Sequence, residues 1–281
     1  MTYAEQDVTA TVGRLLTEHG LTGTLDPDQL NLLDQFHAGG VDGLDRTIAP
    51  LHLTSNDRVL DVGSGFGGPA RRIAQQTGAS VHGIDITAEY VVAASDLTRR
   101  CGLEHLVTFE HSGIENHHPA ESYSAAVTMH VQMNVADKPA WYAAIAERLD
   151  DSGQLVVWDI CSTVDEPLTY PMPWSIDGSD SHVVTPDELL AAITSAGFRC
   201  DEWVDEGAWV DDWFTTTFAG GLPQGPGLPM LLEDGFTRTI NIAVAQKAHT
   251  ITVMRGRFTR LGLDDGRRRF ADGSRASRPT R

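Results

Sequence analysis

One short stretch constrains this chain more than any other. Asp61-Val-Gly-Ser-Gly-Phe-Gly-Gly68 joins an apolar run, Val59-Leu60-Asp61-Val62, to a segment with helical spacing over 68–77. Glycines at this density let the backbone turn tightly and approach a ligand with no Cβ in the way. The start of the following helix adds free N–H donors and a positive dipole. A strand, a glycine turn and a helix in that order begin a nucleotide-binding α/β domain. Gly63, Gly65 and Gly68 also satisfy GxGxxG, so this motif alone leaves a dinucleotide open.

The pattern continues as alternating strands and helices. Strands are expected at 81–84 (ending at Asp85), 106–110, 125–129, 155–160, 199–204 and 250–258. Helices are expected at 89–101, 139–149 and after Thr185-Pro-Asp-Glu188, a capping box with proline at its first position. Trp141, Ile145 and Leu149 mark one face of the second, Gly153 turns into the following strand, and Gly197 closes the third helix. Alternation of this kind predicts an α/β fold: a Rossmann-like, mainly parallel, seven-stranded sheet with helices on both faces. N-terminal helices precede it, one carrying Val8, Val12, Leu15, Leu16 and His19, another capped by Asp26-Pro27, and a third over 41–51. We divide the chain into an N-terminal helical segment (1–52) closing over the cofactor, a main domain (53–262) and a basic tail (263–281) expected to be disordered. Two insertions, at about 162–184 and 205–248, interrupt the main domain as a cap; the second contains a Gly/Pro loop at 220–229 and a long helix at 230–248.

Charge excludes several functions. The 281 residues hold 21 Lys+Arg against 39 Asp+Glu, a formal −18. The tail holds six Arg and three Asp, so the rest carries about −21. An acidic body argues against binding nucleic acid, which needs a basic face. It argues equally against a polybasic membrane contact, and no apolar run approaches the ~20 residues of a membrane span. Neither a signal peptide nor a CxxC pair is visible, and the three cysteines are scattered, so a reducing cytoplasm is expected.

The acid before the first glycine separates the ligand classes. Asp61 would repel a pyrophosphate and attract an amino group. The run Arg58-Val-Leu-Asp-Val-Gly-Ser-Gly-Phe-Gly-Gly-Pro-Ala-Arg-Arg-Ile-Ala74, with Val81-His-Gly-Ile-Asp-Ile86, resembles the cofactor motifs of class I S-adenosyl-L-methionine-dependent methyltransferases. Asp34-Gln-Phe-His-Ala-Gly-Gly40 and His130-Val-Gln-Met-Asn-Val-Ala-Asp-Lys138 are similar to a small-molecule subgroup that includes sarcosine/dimethylglycine N-methyltransferases. The resemblance implies that Asp61, Gly63, Ser64 and Gly65 hold the methionine part, that Asp85 takes the ribose, and that Ile86 and Ile114 pack on the adenine. Where the family usually shows Gly-Asp-Ala, this chain has His111-Ser112-Gly113, placing Ser112 and Gly113 at the adenine. Gln35 and His37 lie before the sheet, in a segment expected to fold over the cofactor. A further departure is Ser122-Tyr-Ser-Ala-Ala126, where Phe-Asp is common.

Candidates for chemistry lie where strands end. His130 follows the fourth strand and is read as a general base or a ligand of the cofactor carboxylate. Asp159, near the end of the fifth, is read as a base or an orienting group. Trp174, His182, Trp209 and Trp213 are assigned to the acceptor pocket, whose rings suit a hydrophobic body or a cationic amine. No metal site is expected, because His111, His117 and His118 lack ligand spacing. The expected activity is methyl transfer to a small molecule: an amine, or an oxygen or carbon of a hydrophobic specialised metabolite such as an isoprenoid or aromatic. A catalytically silent cofactor-binding protein and an oxidoreductase are the competing classes. A homodimer is left open.

Overall fold

In β1 (Arg58–Val62) the last four residues are buried. A strand reaches that state only with neighbours along both edges and helices over both faces. The computed structural model, which describes residues 8–221 and 226–262, supplies both. β2 (Ser80–Asp85), β3 (Val107–His111), β4 (Tyr123–Met129), β5 (Leu149–Ser162), β6 (Phe198–Asp205) and β7 (Ile251–Arg260) complete a single sheet in the order β3-β2-β1-β4-β5-β7-β6. Strands β1 to β5 run parallel, and β7 runs antiparallel to β5 and β6. The order switches between β1 and β4. A crevice opens there at the C-terminal ends of the strands, where sheets of this kind bind ligands.

Among the described residues, three α-helices precede the sheet: α1 (Val8–Glu18), α2 (Asn31–Asp34) and α3 (Gly40–Ile48). α4 (Gly68–Thr77), α5 (Ala88–Arg100), α6 (Lys138–Arg148) and α7 (Pro186–Ser195) fill the crossovers, and α8 (Gly207–Thr217) and α9 (Gly235–Lys247) lie between β6 and β7. Side chains alternate across β1. Val59 joins Ala70 and Ile73 of α4 and Leu44 of α3 on one face, while Leu60 joins Tyr142 and Ile145 of α6 and Leu189 of α7 on the other. Each fully buried aliphatic chain such as Ile145 or Leu189 contributes roughly 1.5–3 kcal/mol. α1 lays Val8, Val12 and Leu16 on Tyr90, Ala93 and Leu97 of α5.

Local chemistry sets the boundaries. α4 starts after Gly67 at φ +76° with Pro69 in its first turn, and ends at Gly78 at φ +73°. Thr185 and Glu188 cap α7 reciprocally. Three expectations need correcting. The long helix starts at Gly235 rather than 230, because Asp234 lies at φ +51° and a Cβ on residue 235 would stand 2.1 Å from the Pro229 carbonyl oxygen. A short 3-10 turn, Leu228–Met230, stands in place of its expected first turn. β5 starts six residues before 155. Its register against β4 slips between Tyr123–Leu149 and Ala125–Gln154, and Ser152 at φ +66° absorbs the turn expected at Gly153. Leu149 therefore belongs to a strand, not to the face of α6.

The 162–184 insertion contains only an isolated bridge, Met172–Ser175, and α9 holds it through Asn241 Nδ2 to the Pro171 carbonyl at 2.8 Å. The basic tail, 263–281, lies outside the described residues. Among those described, no helix is long and apolar enough to cross a membrane, and the three cysteines are free.

Candidate active site

The glycine turn is built around two carboxylates. Gly63, Gly65 and Gly67 have φ of +78°, +52° and +76°, conformations that side chains seldom adopt. At Gly63 space also decides, since a Cβ would lie 2.5 Å from Val131 Cγ2. Asp85, at the end of β2, accepts from the Gly65 N–H at 2.9 Å and from the Thr87 N–H at 2.8 Å. It thus shapes the loop while keeping lone pairs for a ligand. Asp61 is 2% exposed, and its Oδ2 has no hydrogen-bond partner among the described residues. Burial, reinforced by the charge of Asp85, pushes Asp61 up to about 7. Burial raises Asp85 as well. Two buried carboxylates side by side form a site that a cation would relieve.

These groups open into a cavity of about 320 Å³. Asp61, Gly63, Ser64, Gly65, Asp85 and Ile86 line it, as do Ser112, Gly113, Ile114, His130 and His37. Ser64 Oγ is buried without a partner there. Ser112 turns its hydroxyl back to the Gly113 carbonyl at 3.0 Å. The sequence reading missed Glu115, which also lines this cavity. Its carboxylate packs so close to Gly113 that a Cβ there would lie 2.4 Å from Oε1. An acid three residues past the expected position was the available signal.

A second cavity, about 350 Å³, adjoins the first. Trp213, Phe214, Phe218, Met230 and Phe236 supply much of its wall, and Trp174 another part. Phe36, His37, His130 and Pro173 line both cavities. His37 and His130 meet edge to face with ring centroids 6.1 Å apart. His37 Nε2 lies 3.0 Å from Gln35 Oε1, which leaves Nδ1 as a lone pair without a partner among the described residues. His130 Nε2 is likewise buried and unpartnered. Burial pushes His37 down to about 4, and burial together with His37 holds His130 well below its ordinary value. Both imidazoles are neutral at pH 7, and the bond to Gln35 leaves His37 Nδ1 as an acceptor. His130 sits at φ +54°, just past β4, where its N–H donates to the Trp158 carbonyl at 2.9 Å.

Of the other expected residues, one reaches only the second cavity and three reach neither. Gln35 lines the second cavity rather than the first. Asp159 is fully buried beneath the turn that carries His130, and Oδ2 accepts long bonds, 3.4 Å each, from the Val131 and Gln132 N–H groups. It lines neither cavity, and burial pushes it up to about 8. Trp209 packs edge to face on Trp158, with the Arg46 guanidinium 5.4 Å from its ring. The His182 side chain is exposed. Of the four acceptor candidates, Trp174 and Trp213 line the second cavity; Trp209 and His182 do not.

Residues 59–153 match the family described as a methyltransferase domain. Over that stretch the chain is similar to methyltransferases. It is 25% identical over 167 residues to a phosphoethanolamine N-methyltransferase of Plasmodium falciparum, across 58% of this chain and 61% of that protein. It is 30% identical over 149 residues to a sterol 24-C-methyltransferase of Aspergillus fumigatus, across 50% and 40%. The chain thus spans less than two thirds of the length of these curated relatives. Among solved structures, geranyl diphosphate C-methyltransferase from Streptomyces coelicolor, in complex with Mg2+, geranyl-S-thiolodiphosphate and S-adenosyl-L-homocysteine, superposes with a TM-score of 0.66 at 15% identity, over 92% of this chain and 95% of that one. At that identity the likeness establishes the fold. The first cavity fits S-adenosyl-L-methionine on its own chemistry. It offers buried carboxylates to an ammonium group, an open acceptor oxygen on Asp61 and an unpartnered Ser64 hydroxyl.

Proposed function

We propose that the chain is an S-adenosyl-L-methionine-dependent methyltransferase whose acceptor is a small, largely apolar molecule without an anionic group. One observation carries this reading: a cavity walled by carboxylates and glycines abuts a cavity walled by aromatics, and the two share His37 and His130. Bound at the first cavity, the cofactor would supply a methyl group already activated by a sulfonium charge. The protein's work is then alignment, exclusion of water and, for some acceptors, removal of a proton.

Asp61 and Ser64 would hold the amino-acid end of the cofactor. Asp85 would take the ribose hydroxyls, and Ile86 and Ile114 the faces of the base. Glu115 would accept the adenine amino group, the part that Ser112 does not play. His37 Nδ1 and His130 Nε2 are the acceptors for a proton leaving the substrate. Asp159 acts one step removed, as a positioning residue for the turn that carries His130. Phe36, packed edge to face 4.8 Å from Phe66, closes the wall against water.

The second cavity narrows the acceptor. Its described lining residues include no Lys or Arg, and Asp42 is their one carboxylate. A phosphate or a free carboxylate would enter without a counter-charge, at a desolvation cost of several kcal/mol. This favours a hydrophobic O- or C-acceptor over an amino acid such as sarcosine. An amine remains compatible where its body is apolar, since Asp42 and the rings suit a cation. A cytoplasmic location belongs to the same proposal, and the scattered cysteines support it.

Calorimetry with S-adenosyl-L-methionine and with NADH tests the cofactor. Tight NADH binding without a response to S-adenosyl-L-methionine would overturn the reading. A panel of phenols, isoprenoids, lipophilic amines and amino acids, scored by mass for one added methyl group, tests the acceptor. Turnover confined to the amino acids would overturn the apolar assignment.

A further inference from the structure

We propose that His82, Glu110 and His117 form a binding site for a divalent transition metal ion, with Zn2+ as the best match. The three come from separate elements: β2, β3, and the residue following the 3-10 turn Ile114–Asn116. Their ligand atoms, one from each side chain, all lie within 4.8 Å of one another. Glu110 Oε2 stands 2.9 Å from His117 Nδ1 and 3.4 Å from His82 Nε2. Two imidazole nitrogens and one carboxylate oxygen form a borderline donor set that suits Zn2+, with open positions for water.

The far side of each ring strengthens the case. His82 Nδ1 lies 2.8 Å from Thr108 Oγ1, and His117 Nε2 lies 2.9 Å from Tyr123 Oη. Ring N–H donation to these hydroxyls would turn the remaining nitrogen lone pairs toward Glu110. Such outer partners orient the histidines of metal sites and raise their basicity. The rings lie nearly parallel, 19° apart with centroids at 5.1 Å, so little rearrangement separates them from a shared ion. His117 is 4% exposed and His82 24%, so the pair is partly shielded from water. One opposing charge, Arg58, rests over the Tyr123 ring at 5.0 Å and is paired with Glu121 at 3.1 Å.

The groove holding this cluster shares no lining residue with the two cavities of the active site. The ion would therefore take no part in methyl transfer. Its reach is structural. His117 stands two residues past Glu115, and the His117 and Glu115 carbonyls both accept from Arg148, at 2.9 Å and 3.2 Å. An ion at His117 would brace the end of the loop that lines the cofactor cavity.

The test uses the full chain without an affinity tag, stripped by a chelator and titrated with Zn2+ by calorimetry and with Co2+ by visible absorption. We expect one saturable equivalent and a Co2+ spectrum of low coordination number. His82→Ala and Glu110→Gln should each weaken that equivalent by about tenfold or more, and Thr108→Val, which removes an outer partner, by roughly tenfold. Glu110 is half-exposed, so Glu110→Gln should keep its fold, which circular dichroism verifies. No saturable equivalent, or one that survives both ligand substitutions, would overturn the proposal.

Discussion

The Arg71 guanidinium meets the Asp34 carboxylate at 2.7 Å, with side chains only 1% and 2% exposed. The pair joins the N-terminal segment to the helix that follows the glycine turn. Arg71 also donates to the Phe66 carbonyl at 2.6 Å and to Thr98 Oγ1 at 2.9 Å, so one side chain ties the turn, α5 and the segment over the cofactor cavity. Burial outweighs the attraction of Arg71 and pushes Asp34 up to about 6. Removing the carboxylate strands a buried cation. Asp34→Ala should therefore cost about 3–5 kcal/mol of stability, read from urea unfolding. A loss under 1 kcal/mol would mean that the pair does not anchor the segment.

Affinity for S-adenosyl-L-methionine should depend on Asp61 through pH. Its carboxyl is raised from an ordinary 3.8 to about 7. Between those values the free site keeps its proton, and an incoming ammonium must displace it. Affinity should be level above about pH 7.5 and fall below pH 7, by at most about tenfold per unit. Asp61→Asn should lower affinity at pH 8 and abolish this slope. An unchanged slope in the variant would assign the titration elsewhere.

The two histidines should separate chemistry from binding. His130→Ala and His37→Ala are each expected to reduce kcat roughly a hundredfold where the acceptor must lose a proton, with smaller changes in cofactor affinity. Because burial pushes His37 down to about 4, kcat at saturation should stay level from pH 8 to about pH 5. A fall centred near the ordinary histidine value would show that at least one of the two rings does not behave as buried.

The apolar cavity makes a prediction about KM. Trp213→Ala removes a large ring from its wall, worth roughly 1.5–3 kcal/mol of burial with a bound acceptor. The acceptor KM should rise about tenfold or more while the cofactor Kd holds. The same substitution at Trp209, which packs on Trp158 outside the cavity, should affect stability before KM.

Much of the cofactor side was legible because its chemistry is local. The residues at 61–65, 85–86 and 112–114 lie at the C-terminal ends of strands or on the turns that follow them, so reading the strands placed them. α4 was predicted to the residue, since glycines at positive φ bracket it. The acceptor side was not legible in this way. Its walls are assembled from chain positions up to about two hundred residues apart, and periodicity says nothing of which of several tryptophans turns inward. Trp174 and Trp213 do so; Trp209 is held by Trp158 and Arg46 instead. Asp159 misled for a related reason. A carboxylate near the end of a central strand reads as catalytic, yet here it serves the backbone of the neighbouring turn. The pairing of Asp34 with Arg71 spans 37 residues and leaves no spacing pattern at all.

The origin of the acceptor walls has a bearing on descent. Apart from His130 and Met133, each described residue around that cavity belongs to the N-terminal segment, the β5–α7 connection or the β6–β7 connection. None of these carries the glycine turn or its two carboxylates. Selection can therefore reshape the acceptor chamber, by lengthening a loop or exchanging a ring, while the half of the protein that handles the methyl donor stays as it is. A lineage built on this plan can change what it modifies without relearning how.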